Sequence, residues 1–90
     1  MHETNSNVAD ASRLAFEALA WILRDETRAE RFLALTGLTA DGLRTSVQQQ
    51  ATQAATLAFL EAHEPDLKAC ADAIGVTPVE LVVAREVLER

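Results

Sequence analysis

The sequence has very little of the side-chain chemistry that most active sites use. Of its 90 residues one is cysteine, two are histidine and none is tyrosine. The single thiol, Cys70, excludes an internal disulfide and a zinc site built from cysteines. No glycine-rich phosphate-binding loop is present either. These gaps predict a protein that is not an enzyme, with no catalytic residue, no cofactor and no metal site.

Glycine and proline are scarce, and no hydrophobic run is long. Three glycines and two prolines exclude a collagenous or low-complexity chain. No segment approaches the roughly 18 apolar residues that a membrane helix needs. The polar, acidic residues 1–7 lack the basic-then-apolar order of a signal peptide. A lone thiol in an apolar stripe is typical of a reducing compartment. We therefore expect a cytoplasmic protein that does not enter a membrane.

The charge balance is acidic. Fourteen acids against eight bases give a net charge of −6, and Lys68 is the only lysine. Such a surface repels the phosphate backbone, whose contacts supply most non-specific affinity for nucleic acid. Nucleic acid and anionic lipid are therefore disfavoured as partners.

The length of the chain predicts one domain. Apolar residues make up 49% and charged residues 24%, which excludes an intrinsically disordered chain. A chain of this size buries about 60–65% of its unfolded surface, so we expect one small core and no deep cleft. We divide the chain into a flexible N-terminal tail, residues 1–8, and a single helical domain, residues 9–90.

No stretch alternates apolar and polar residues with the period of a strand, so we predict an all-α fold: a compact bundle of five to six short helices. Asn7 or Asp10 is expected to cap a first helix that ends near Arg24. Asp25, together with a candidate capping box at Thr27-x-x-Glu30, begins the second helix. 

Glycine and threonine mark the next boundaries. Gly37 occupies the left-handed position that ends a helix. Thr39 caps a short third helix, residues 40–46. A fourth helix runs from about Gln48 to His63, and because it is apolar almost all round near its middle we place it at the centre of the fold.

The last two helices form a corner. Pro65 suits the first turn of helix five, and Gly75 ends that helix. Thr77 and Glu80 form a capping box with Pro78 at the first helical position, so helix six starts there. This predicts a helix-turn-helix-like corner near the C-terminus.

The corner resembles the helix-turn-helix element of many transcription regulators, with small Ala71 four residues before Gly75 and apolar Leu81 beyond it. Such an element would place the start of helix six in a major groove. That start offers Thr77, Pro78 and Glu80 but no Arg, Lys, Asn or Gln to read bases, and the carboxylate would face phosphates. The alternative is a corner used only for packing.

His63-Glu64-x-Asp66 is the one cluster of metal-capable side chains. Imidazole and carboxylate ligands suit a divalent ion. The cluster lies at a helix end beside Pro65, where polar residues collect for solvation, so we interpret it as structural.

An excess of apolar surface remains for a partner. Trp21 is the lone tryptophan; it is either a core or boundary aromatic or, if exposed, an interface anchor. One side of helix six carries Val79, Val82, Val83 and Val87, and another side is apolar too. Helix six is therefore expected either to pack between two neighbours or to form a homodimer seam. The protein is predicted to be a non-enzymatic protein–protein interaction module that can self-associate; the alternative is a degenerate helix-turn-helix DNA-binding regulator.

Residues 32–38 (Phe-Leu-Ala-Leu-Thr-Gly-Leu), together with residues 57–60 and the turn at Ile74-Gly75, carry a family resemblance. The chain is similar to small alphaproteobacterial proteins known only as a domain of unknown function, and the resemblance spans roughly residues 15–89. It implies a compact helical fold and supplies no catalytic or binding residues.

Overall fold

The computed structural model describes residues 2–90, with side chains from residue 7 onward. In chain order the helices are α1 (His2–Leu23), α2 (Glu26–Thr36), α3 (Ala40–Ser46), α4 (Gln50–Glu61), α5 (Glu64–Ile74) and α6 (Pro78–Leu88). Residues 2–90 contain no strand. The predicted all-α bundle is confirmed.

Side-chain caps start three of the helices where the sequence predicts. Asp25 accepts a hydrogen bond from the Arg28 amide at 2.9 Å and caps α2, whereas the expected capping box at Thr27 is wrong because Thr27 lies inside the helix. Thr39 accepts from the Gly42 amide at 2.9 Å and begins α3. The Thr77 capping box of α6 is treated with the corner below. Because such caps satisfy amides that a helix leaves unpaired, they are local and readable from sequence.

The two predicted terminating glycines have the required backbone. Gly37 has φ 75° and Gly75 has φ 79°, in the left-handed region that other residues rarely adopt. The Gly37 amide donates to the Leu33 carbonyl at 2.9 Å. This bond closes the end of α2, and the Gly75 amide, which donates to the Asp72 carbonyl at 3.3 Å, closes the end of α5.

Three predicted boundaries are wrong. α1 begins at His2 and not at a cap on Asn7 or Asp10, because the polar first residues continue the helix. The expected flexibility of residues 1–8 stays a prediction, and Met1 lies outside the described residues. α4 begins at Gln50 and ends at Glu61, since Gln48 and Gln49 form the turn before it and His63 is the N-cap of α5. Pro65 lies in the first turn of α5, as predicted.

The predicted central position of α4 is confirmed. It packs against α1, α2, α5 and α6. Its buried side chains include Leu57 and Leu60, which are fully enclosed. Phe59 meets Phe32 of α2 edge to face, with ring centroids 5.2 Å apart. The hydrophobic core is therefore built around α4 together with α1, which also packs against four helices.

α6 packs between α1 and α4, the first of its two predicted arrangements. Leu81 and Leu88 point into the core. The last turn of α6 lies beside the start of α1, because Val87 and Arg90 line one crevice with Asn7 and Val8. This placement leaves one face of α6 open beside α1.

Candidate interaction surfaces

The four predicted valines of α6 divide into two groups. Val79 is 68% exposed and Val83, one turn later, is 46% exposed. Val82 is half-buried, and Val87 is buried at the edge of the core. The structure therefore brings Val79 and Val83 to the surface and assigns Val87 mainly to packing.

A groove of about 300 Å³, termed the α6 groove, lies between these valines and α1. Its apolar lining comes from Ala11, Leu14, Val79, Val83, Ala84 and Val87. Asn7, Asp10, Glu80 and Arg90 supply its polar lining. The groove can accept apolar side chains of a partner, with charged groups at its margin to orient them.

Trp21 does not line this groove. It is half-buried and packs against the core from α1. The Arg28 guanidinium covers the indole ring, 3.5 Å from its centroid, and donates a hydrogen bond to the Trp21 carbonyl. A cation over an indole face is a stabilising contact in itself. A role for Trp21 as a partner anchor stays a prediction.

The corner between α5 and α6 has the geometry that its sequence predicts. Gly75 closes α5, and the Val76 amide donates to the Ala71 carbonyl at 2.9 Å. Thr77 and Glu80 exchange the two bonds of a capping box, at 2.8 and 3.1 Å. Ala71 is buried where the helices meet. 

The outer face of α6 is acidic beside its valines. Glu80, Glu86 and Glu89 are exposed. The one arginine within α6, Arg85, pairs with Glu61 of α4 and with Glu89. These contacts raise the pKa of Arg85, the hydrogen bond to Glu61 contributing most. Arg85 is thus held by carboxylates of its own chain.

The polar cluster at His63 is dispersed. Asp66 pairs with Arg31 of α2, and Glu64 lies 3.6 Å from Lys68 within α5. His63 is exposed. Among the described residues no three histidine, cysteine or acidic side chains are grouped to hold a metal ion.

The thiol of Cys70 is fully enclosed in the core. Burial raises its pKa to about 11, while Arg28 lowers it and Asp66 raises it by smaller amounts. The side chain is neutral at physiological pH. It packs as a small hydrophobe and does not reach solvent.

A second surface escaped the sequence reasoning. A groove of about 430 Å³ lies between α4 and the end of α2, and we term it the α4 groove. It is lined by Leu35, Thr36, Leu38, Ala51, Thr52, Ala55, Ala58, Phe59 and Ala62. The spacing of the four alanines, at positions i, i+4, i+7 and i+11, is the signal that could have revealed this face.

Within residues 2–90, no helix combines the length and apolar character that a membrane span requires.

Comparison with known proteins identifies the family of the chain. No curated protein and no solved structure matches the chain. A family described as "Protein of unknown function (DUF3572)" matches residues 8–90, which is nearly the whole sequence. The expected resemblance to a family of unknown function is thereby confirmed, and the chain belongs to the DUF3572 family.

Proposed function

We propose that this protein is a non-enzymatic interaction module that binds another protein through the α6 groove. The observation that carries the proposal is the exposure of Val79 and Val83, one turn apart, beside an apolar groove that includes Leu14. Exposed valines are ordinary one at a time. Two on one face, next to a concave apolar lining, are typical of a binding site.

The energetics support a modest but specific contact. Full burial of a valine side chain contributes about 1.5 kcal/mol or more. The small Ala11 and Ala84 side chains at the groove leave room for a partner's larger residues. The nearby Asp10 and Glu80 carboxylates favour a partner that carries basic side chains at its margin.

Two ion pairs between helices support a role without catalysis. Arg31 and Asp66 join α2 to α5, and Arg85 and Glu61 join α6 to α4. A catalytic acid or base must lie within reach of a substrate with a pKa suited to proton transfer. These paired groups instead connect helices.

The experiment is affinity capture from the source cells with matched variants. The bait is the full chain as wild type, as Val79→Glu/Val83→Glu, or as Ala69→Glu/Ala73→Glu. Both alanines are exposed on α5, so the control adds the same two charges at the same spacing. Wild type and control are expected to recover the same specific protein, which the α6 variant loses. Recovery by all three baits alike would contradict the proposal.

A DNA-binding regulator is the second candidate, and the left-handed turn at Gly75 favours it. The acidic face of α6 opposes it, because Glu80, Glu86 and Glu89 would approach phosphates. Mobility shifts with genomic DNA at low salt test this candidate. We expect none, and a shift with a steep salt dependence would favour the regulator.

A further inference from the structure

The α6 side of the α6 groove is a regular ridge of valines. Val79, Val83 and Val87 line the groove at intervals of four residues along the helix. Side chains at this interval form a ridge, and such ridges pack into the grooves of another helix. From Val79 to Val87 the ridge is about 12 Å long, which is a little over two helical turns. Its first two valines are exposed, so this ridge is only partly covered within the chain.

Small side chains lie between the two helices that form the groove. Ala11 of α1 and Ala84 of α6 are buried and line it. Because alanine is small, the backbone of a docked helix can approach both α1 and α6 closely. A helix in this position would continue the packing of the bundle itself, in which α6 already lies between α1 and α4.

The other common modes of peptide recognition do not fit the α6 groove. An extended peptide adds to an exposed sheet edge, and residues 2–90 contain no strand. A proline-rich segment binds an aromatic-lined groove, and the described residues that line the α6 groove include no aromatic side chain. An acidic or phosphorylated motif is bound by clustered arginines, and that lining has the single arginine Arg90. An amphipathic helix is the element that fits.

Carboxylates on both walls of the groove restrict the charge of that helix. Asp10 is exposed on the α1 wall and Glu80 on the α6 wall. The hydrogen bond from the Thr77 amide holds the Glu80 carboxylate in place. Arg90, the one base in the lining, lies beyond the last turn of α6. Lysine or arginine on either side of the apolar stripe of a docked helix would therefore meet a carboxylate, whereas acidic side chains there would be repelled.

We propose that the α6 groove binds a basic amphipathic helix, with an apolar stripe of about two to three turns and basic side chains on both sides of it. The proposal rests on the proposed function and names the element of the partner that enters the groove. In the complex the apolar stripe covers Val79 and Val83, and the flanking bases lie beside Asp10 and Glu80. The net charge of −6 attracts such a segment from a distance as well.

The test is selection from a phage-displayed library of helical peptides. Each peptide has leucine at positions i, i+4, i+7 and i+11, and the flanking positions are drawn equally from lysine, glutamate and glutamine. The baits are the full chain as wild type, as Asp10→Asn/Glu80→Gln in the groove, and as Glu30→Gln/Asp72→Asn outside it. All four acids are exposed, so the control loses the same two charges. Glutamine at position 80 can keep the capping box of α6.

Wild type and the Glu30→Gln/Asp72→Asn control are expected to enrich peptides with lysine at the flanking positions. The groove variant is expected to bind the enriched peptides at least about threefold more weakly. An equal loss in the two double variants would show attraction to the overall charge of the chain and would overturn the proposal. Enrichment of glutamate, no preference at the flanking positions, or no enrichment of any peptide would overturn it too.

Val79→Ser/Val83→Ser shows where the enriched peptides bind. This variant is expected to lose them, and undiminished binding would place the peptides elsewhere and overturn the proposal. Sedimentation velocity tests a second copy as the occupant: wild-type dimers that this variant loses would overturn the proposal. Circular dichroism checks that every variant is folded. Affinity capture with Val79→Glu/Val83→Glu decides the proposed function separately, because it does not depend on which element of the partner enters the groove.

Discussion

The guanidinium of Arg28 stacks on the indole ring of Trp21, 3.5 Å from the ring centroid, and also donates a hydrogen bond to the Trp21 carbonyl. One side chain of α2 thus holds both the ring and the backbone of the last turn of α1. The connection between α1 and α2 is only two residues long, so the two helices meet at a sharp corner. We expect the contact between Arg28 and Trp21 to stabilise that corner.

Replacing Arg28 with alanine is expected to lower the free energy of unfolding by about 1–3 kcal/mol, since it removes a cation–π contact and a charged hydrogen bond. Urea denaturation followed by the fluorescence of the lone tryptophan measures the change. The native emission is also expected to move to longer wavelength as the ring loses its cover. Arg24→Ala, at an exposed position one turn earlier, is the control and should leave both values unchanged.

The buried thiol of Cys70 makes stability depend on alkaline pH. Its pKa is about 11 in the folded protein and roughly 8.5 in an unfolded chain. The unfolded state therefore loses the proton first, and stability falls as pH rises between these two values. The loss is expected to reach up to about 3 kcal/mol.

The chain is well suited to this measurement because it has no tyrosine and Lys68 is its only lysine. Urea denaturation across the alkaline range should show the decline in wild type and a flatter dependence in Cys70→Ala. The same slope in both proteins would show that another group is responsible.

Gln53 is a buried polar anchor, only 4% exposed. Its side-chain oxygen accepts from the Ser12 hydroxyl at 2.7 Å, and its amide donates to the Val47 carbonyl at 3.1 Å. Gln53→Leu leaves both partners without this bond and is expected to cost about 1–3 kcal/mol of stability. Gln50→Leu, at an exposed position one turn earlier, should change stability by no more than about 0.5 kcal/mol. An equal loss of stability in Gln53→Leu and Gln50→Leu would contradict the assignment of Gln53 as a buried polar anchor.

Gly75 is required for its backbone conformation and not for space. An added Cβ would meet no atom within 4 Å, so Gly75→Ala introduces strain at φ 79° and no clash. We expect a loss of about 1–2 kcal/mol. Gly75→Asn should lose less, because asparagine tolerates this region better. Chemical denaturation of the two variants checks the order, and an alanine variant as stable as wild type would refute it.

The helix ends were predictable where their cause is local. Thr39 and Thr77 cap helices with hydroxyls that bond amides three residues ahead, and Gly37 and Gly75 end helices by adopting positive φ. Each signal lies within a few residues of the structure that it determines. The predicted start of α1 was wrong because Asn7 and Asp10, although of residue types that cap helices, lie inside a helix that continues back through residues 2–6, where no glycine or proline interrupts it.

Burial was harder to predict because it depends on distant helices. Gln53 looks like part of a solvated polar stretch, yet Ser12 of α1, 41 positions away, makes it a core residue. Val87 shares a face with Val79 in the sequence, but the crossing of α1 over the end of α6 buries it. The α4 groove depends in the same way on where the end of α2 is placed.

The most direct test of the account is the affinity of the captured partner for three forms of the chain, measured by titration calorimetry. Val79→Glu/Val83→Glu is predicted to bind the partner at least about tenfold more weakly than wild type, because two carboxylates would then lie where the partner contacts the α6 groove. Ala69→Glu/Ala73→Glu is predicted to bind as wild type does. Equal affinity of the α6 variant and wild type would contradict the claim that these two valines contact the partner.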